Sequence, residues 1–218
     1  MSVRINDIAP DFTADSTIGE LTFHQWIGDS YAILFSHPKD FTPVCTTEFG
    51  AVAQLAPEFA KRNTKVIGVS VDKVADHQKW CRDIEAFAGA PADFPIIDDS
   101  TLQVSKLYDM LPAEAYLPDN RTPADSATVR TVFIIGPDKK VRLTMAYPMT
   151  VGRNFAEILR ALDALQATDG VPIATPANWV PGQDVIVALS LNDEQAKERF
   201  GDLNIKLPYL RFARAPIK

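Results

Sequence analysis

Cys45 is the residue whose surroundings most plainly invite chemistry. It closes the run Thr42-Pro43-Val44-Cys45. Thr followed by Pro is a helix-start signal, with Thr as N-cap and Pro at the first helical position. Cys45 then falls at the third helical position, where a capping box would put a Glu or Gln. A sulfur there sits beside backbone N–H groups without helical partners and at the positive end of the helix dipole. That favours the thiolate, which is the nucleophilic form of cysteine. The Thr42 hydroxyl is near enough in sequence to hydrogen-bond the sulfur or whatever it attacks. Pro38 stiffens the entering loop and can shield the site from bulk water. A free cysteine is also commonly a small buried hydrophobe, so the local pattern alone leaves a reactive and an inert Cys45 both open.

The chain has one other cysteine, Cys81. It lies on a helical stripe with Val74, His77, Trp80, Ile84, Phe87 and Ala88, so it is expected to be buried and structural. There is no Cys-x-x-Cys, and the three histidines and two cysteines fall at no zinc-ligand spacing.

These residues need a scaffold, and an α/β pattern supplies it. Short apolar runs at residues 31–36 (YAILFS), 66–71 (VIGVSV) and 131–135 (TVFII) read as buried strands. The last leads through Gly136-Pro137-Asp138-Lys139-Lys140 into a strand over residues 141–146, a hairpin. Helical spacing marks residues 48–62, 73–88 and 153–166. The expected architecture is a mixed, mostly parallel sheet with helices on its faces. A linker-like stretch from Ala167 to Pro176 predicts a boundary, giving one domain over 1–166 and an extension over 167–218. The extension has a strand at residues 185–187 and a helix capped by Asn192 and ended at Gly201. So small a tail is expected to pack on the first domain or on a partner subunit.

Composition narrows the function. At 218 residues and 46% hydrophobic, the chain can build a sizeable core. A formal charge of -6 without a Lys/Arg-rich run argues against a nucleic-acid partner. No stretch approaches a membrane span, and the first residues lack a signal-peptide core, so a cytoplasmic protein is expected.

The spacing Pro38-x-x-x-Thr42-x-x-Cys45 resembles the active-site signature of the peroxiredoxins. The longer string HPKDFTPVCTTE (residues 37–48), with LAPEFAKRN and GRNFAEIL downstream, is similar to the one-cysteine peroxiredoxins of the peroxiredoxin-six subfamily, in the AhpC/TSA superfamily. The likeness runs over essentially the whole chain. It implies a thioredoxin-like mixed sheet flanked by helices, with a small C-terminal α+β extension and no metal or organic cofactor. It implies that Cys45 attacks a hydroperoxide and becomes a sulfenic acid. Thr42 and the Cys45 amide would hold the peroxide, and Arg130 would reach the sulfur from a neighbouring strand. Glu48 and Arg153 match supporting positions that orient the arginines. By position alone, a surface ion pair at a strand end is the preferred reading of Arg130. His37 matches a histidine of the one-cysteine group, either acting on the sulfenic acid or simply hydrogen-bonded at a strand end.

No resolving cysteine follows Cys81, so an external thiol (glutathione, thioredoxin or a small thiol) is expected to regenerate Cys45. A homodimer or higher homo-oligomer is expected too, with tail residues such as Trp179, Val185 and Phe212 buried between subunits. Some relatives are reported to carry lipase activity on a serine, a histidine and an aspartate, matched here by Ser30, His24 and Asp138. The stretch Gly28-Asp29-Ser30-Tyr31-Ala32 lacks the second glycine of a nucleophile elbow, so that reading is disfavoured. A sensor or chaperone signalling through oxidised Cys45 would carry the same motif and differ only in turnover.

Overall fold

The computed structural model describes residues 3–116 and 127–215. The chain divides into two compact units, residues 1–155 and 156–218.

In the first unit the chain runs β1 (Thr13–Ser16), β2 (Gly19–Thr22), α1 (Phe23–Ile27), β3 (Tyr31–Ser36), α2 (Pro43–Lys61), β4 (Thr64–Ser70), α3 (Val74–Ala88), β5 (Ile96–Asp98), α4 (Gln103–Leu107), β6 (Arg130–Ile135) and β7 (Val141–Tyr147). These strands form one seven-stranded sheet in the order β2-β1-β5-β4-β3-β6-β7. β3, β4 and β5 are parallel, and β6 and β7 complete one side as an antiparallel hairpin. β1 closes the other side, antiparallel to β5. The three apolar runs are the inner strands β3, β4 and β6. All six residues of β3 and of β6 are buried, as expected where both faces of a sheet are covered. The β1–β2 hairpin and β5 were not among the expected strands, because runs of three or four residues carry too little pattern.

Two features place the end of β3. It pairs in parallel with β4 from Tyr31↔Thr64 to Ser36↔Val69. On its other side, Phe35 faces Val132 of antiparallel β6. That register brings Arg130, the first residue of β6, beside the point where the chain leaves β3 for α2. Helix α2 lies close over β4 because Gly68 has no side chain: a Cβ there would stand 2.9 Å from Phe49 Cζ. Phe49 is fully buried against Phe35, Trp80 and Phe94, and burying a ring this way contributes about 2–3 kcal/mol.

The second unit holds α5 (Phe155–Thr168) from its second residue onward, β8 (Ile173–Ala174), β9 (Val185–Val187), α6 (Asp193–Phe200), β10 (Asn204–Leu207) and β11 (Leu210–Ala213). Its strands form an antiparallel sheet in the order β10-β11-β9-β8. Asn192 caps α6 in a full capping box with Gln195, and Gly201 ends the helix, as the sequence predicts. The expected boundary at 166/167 differs from the observed one. Helix α5 groups with the second unit, since Ala164 and Ala167 pack with Ile173, Trp179 and Val185. Trp179 and Val185 therefore fill this unit's own core instead of forming a free apolar surface.

Candidate active site

The site is built where β3 ends, α2 begins and β6 starts. Thr42 is the N-cap of α2 in extended conformation and Pro43 opens the helix. The Thr42 hydroxyl makes no cap hydrogen bond. It donates instead to Lys39 O at 2.8 Å. A hydroxyl has one proton to give and two lone pairs, so its oxygen is left as an acceptor beside the first turn. Cys45 is fully buried on that turn.

Arg130 reaches the sulfur as the resemblance implies. Its Nη1 lies 3.3 Å from Cys45 Sγ and 2.7 Å from Glu48 Oε2. Its Nε and Nη2 both donate to Met149 O, at 2.8 and 2.7 Å. The guanidinium is thereby aimed by a backbone carbonyl on one edge and a carboxylate on the other. Sequence reasoning missed Met149, and nothing in its side chain could have shown it, because only its carbonyl takes part.

Glu48 and Arg153 back this arrangement. Arg153 donates to Glu48 through Nε at 2.9 Å, Nη2 at 2.7 Å and its own amide at 2.8 Å. Its Nη1 holds the carbonyls of Ser36 and Thr131, tying the ends of β3 and β6 together. The guanidinium also stacks on Phe35 and Phe155. Burial alone would push the Glu48 carboxyl up. The hydrogen bonds and charge of Arg153, with the charge of Arg130, outweigh it and hold the carboxyl below its usual range. Burial likewise draws Arg153 down, opposed by Glu48.

Pro38 lies on the loop between β3 and α2. His37, beside it, is fully buried and stacked on Trp80. Its Nε2 meets Asp40 Oδ1 at 2.7 Å, while its Nδ1 is buried without a partner. Desolvation pulls the His37 imidazole down despite Asp40, which keeps it neutral. Asp40 and His77 join His37 in one buried group, and the sequence analysis gave neither a role. Asp40 stands inside the motif string, and His77 was read only as part of a helix stripe.

Cys81 is half-buried, less than expected, and Phe87 of the same stripe is 61% exposed. The face of α3 that is turned inward is His77, Trp80 and Ile84. Burial, then the charges of Asp40 and Asp93, push the Cys81 thiol up to about 11, so it stays protonated and unreactive at neutral pH. A groove of about 430 Å³ opens at the first turn of α2, lined by Phe41, Thr42, Pro43, Thr46, Trp80 and Phe87 among others. A second cavity of about 330 Å³, around Trp26, Phe59 and Phe94, contains none of the site residues.

The lipase residues do not assemble. Ser30 Oγ donates to Asn63 Oδ1, His24 Nε2 bonds Ala9 O, and Asp138 pairs with Arg142. Each is engaged elsewhere, and no nucleophile–base contact joins them.

The chain's likeness to known proteins agrees with this geometry. Residues 5–144 match the AhpC/TSA family, and residues 164–203 match the C-terminal domain of 1-Cys peroxiredoxin. Peroxiredoxin-6 of Mus musculus is 50% identical over 223 residues, covering 97% of each chain. The crystal structure of a cysteine-to-serine mutant of peroxiredoxin 6 from Arenicola marina superposes with a TM-score of 0.92 at 44% identity, covering all of both chains. The yeast mitochondrial 1-Cys peroxiredoxin, whose thiol resolves via the glutathione/thioredoxin systems, matches with a TM-score of 0.89 at 50% identity, over 97% of this chain and 99% of that one. The chain thus belongs to the AhpC/TSA family, in its one-cysteine peroxiredoxin branch, and is a thiol-dependent peroxidase.

Proposed function

We propose that Cys45 is the peroxidatic residue, with Thr42, Arg130 and Pro38 completing the catalytic site and Glu48, Arg153 and His37 supporting it. The observation that carries this reading is the 3.3 Å contact from Arg130 Nη1 to Cys45 Sγ. A fixed cation against the sulfur favours the thiolate and the charge that develops on the leaving oxygen. The thiolate attacks the terminal oxygen of a hydroperoxide. An S–O bond forms, the O–O bond breaks, and the departing alkoxide or hydroxide takes a proton to leave as alcohol or water. Cys45 is left as sulfenic acid. Thr42 Oγ1 accepts from the peroxide O–H, and the Cys45 amide donates to its oxygen, which sets the line of attack. The apolar groove beside Thr42 gives an organic hydroperoxide room for its carbon chain.

An external thiol then attacks the sulfenic sulfur, releasing water and forming a mixed disulfide. A second thiol frees Cys45 as thiolate. Glutathione, thioredoxin or a small thiol fits this step, and the yeast relative resolved via the glutathione/thioredoxin systems supports the first two. The need for reductant and the free thiols of Cys45 and Cys81 suit a reducing compartment, and we assign the cytoplasm. A signal in mitochondria on fractionation of the source cells would overturn that assignment. We further propose a homodimer or higher homo-oligomer, supported by exposed apolar residues Ile205, Leu207 and Tyr209 around β10. A monomer at micromolar concentration by light scattering would refute it.

Peroxide consumption with dithiothreitol tests the central claim. Cys45→Ser is expected to abolish turnover and Cys81→Ser to keep it. A native chain that consumes no peroxide defeats the reading.

A further inference from the structure

His77 sits on α3 with both ring nitrogens against acceptors. Nε2 lies 3.1 Å from Ile97 O, and Nδ1 lies 2.6 Å from Asp40 Oδ2. A carbonyl can only accept, so Nε2 must carry a proton. The other carboxylate oxygen, Asp40 Oδ1, faces His37 Nε2 at 2.7 Å. All three side chains are buried, at 0–1% exposure. Separations of 2.6–2.7 Å are those of charge-assisted hydrogen bonds. They are too short for an ion seated between the groups, since metal–ligand bonds of about 2.0–2.1 Å in a tetrahedral site hold ligand atoms well over 3 Å apart.

The loop from His37 to Thr42 hangs on this group. The Asp40 amide donates to Asp72 Oδ2, Thr128 Oγ1 donates to His37 O, and Phe41 is held at a φ of 55°. A left-handed phenylalanine persists only where its surroundings over-determine it. Resting on the peroxidase reading above, we propose that His77 and Asp40 are positioning residues for the reaction: a buried His77 imidazolium, paired with the Asp40 carboxylate, fixes the loop that carries Pro38 and Thr42 and locks His37 in its Nε2–H form.

The charged groups facing His77 are both anionic, Asp40 from the loop and Asp72 from the segment after β4, while His37, also on the loop, is neutral. Burial draws the His77 imidazole down, but the bond and charge of Asp40, the Ile97 carbonyl and Asp72 outweigh it and raise it above its ordinary value. Asp40 moves the opposite way: burial pushes it up, and its two histidine partners hold it low.

Nitrogen NMR of the histidine rings in the native chain reads the proposal directly. At about pH 8, above the ordinary imidazole range, His77 is expected to hold protons on both ring nitrogens and His37 on Nε2 alone. A singly protonated His77 overturns the proposal. In His77→Phe, the rate constant of Cys45 with hydrogen peroxide is expected to fall roughly tenfold to a hundredfold, as misplaced alignment does. Alkylation of the Cys45 thiolate by iodoacetamide, which needs no peroxide alignment, is expected to stay near native. An equal fall in both rates, or no fall in either, overturns the positioning role. A native chain that consumes no peroxide defeats the peroxidase reading itself, and the two failures are separable because the NMR signature is read without turnover.

Discussion

Replacing Arg130 with lysine tests whether the guanidinium's shape, and not its charge alone, makes Cys45 reactive. Arg130 makes four contacts at once: Nη1 to Cys45 Sγ and Glu48 Oε2, Nε and Nη2 to Met149 O. Its planar fork satisfies all four from one rigid group. A lysine ammonium has its donors on a single atom and cannot hold the sulfur, the carboxylate and the carbonyl together. Losing a preorganised donor onto developing charge costs about 10²–10³ in rate, or roughly 2.7–4 kcal/mol. Because lysine keeps the positive charge, the lower end applies, a fall of about a hundredfold. The Met149 carbonyl also loses its donors, which lowers stability by about 1–3 kcal/mol. Stopped-flow fluorescence reads the oxidation, since Trp80 Nε1 is hydrogen-bonded to Thr46, the residue after Cys45. A variant that stays folded and reacts within about threefold of native, far short of the loss expected for such a donor, would refute the claim that fork geometry matters here.

Two further outcomes follow from the same contacts. Glu48→Gln leaves two buried guanidiniums without their carboxylate and is expected to cost about 3 kcal/mol near neutral pH, the low end for breaking a buried pair because the amide still accepts one bond. Since the folded-state Glu48 carboxyl is held low, its contribution is present above the unfolded value of about 4.3 and is lost as pH falls through the folded one. The gap between native and variant in urea unfolding should therefore narrow on acidification, and a constant gap would contradict the assignment. Cys81, raised to about 11, should resist iodoacetamide at about pH 8 while Cys45 reacts, because a thiol alkylates through its thiolate. Peptide mapping that finds Cys81 labelled first would overturn this.

Much of this site was legible in the sequence, because it is written in contiguous residues. Thr42-Pro43 marks the start of α2, and three positions on stands the cysteine. The inner strands announced themselves as unbroken apolar runs. What could not be read falls into two kinds. Short elements such as β5, three residues long, are held by neighbours on either side and have no periodicity of their own. Contacts made across the sheet are the other kind. Met149 contributes only a carbonyl, and His77 sits among Trp80 and Ile84 on an inward face where a hydrophobe would fit the pattern equally well. Its partner Asp40 is 37 residues away, and only the β3–β4 register with α3 folded back brings the two together. The compact units divide after Phe155 and not at Ala167, because turn-rich residues mark where a helix ends and carry no record of the contacts its faces make.

On the proposed reading, the charges around Cys45 make these residues a set. Arg130 and Arg153 bring two positive charges, and Glu48 brings one negative charge, all at 7% exposure or less. With Cys45 as a thiol, one positive charge lies buried without a counter-ion among the described residues, a costly state in a low-dielectric site. The thiolate supplies the missing anion, and Arg130 Nη1 stands where it can bond both anions at once. Oxidation to sulfenic acid removes that anion, so the unbalanced charge returns and again favours a negative group at the same place. An incoming reductant that arrives as thiolate meets that field, and the freed Cys45 thiolate restores the balance at the end of the cycle. The carboxylate of Glu48 is as necessary as either arginine in this scheme, because without it the excess would be two charges, more than one sulfur can offset.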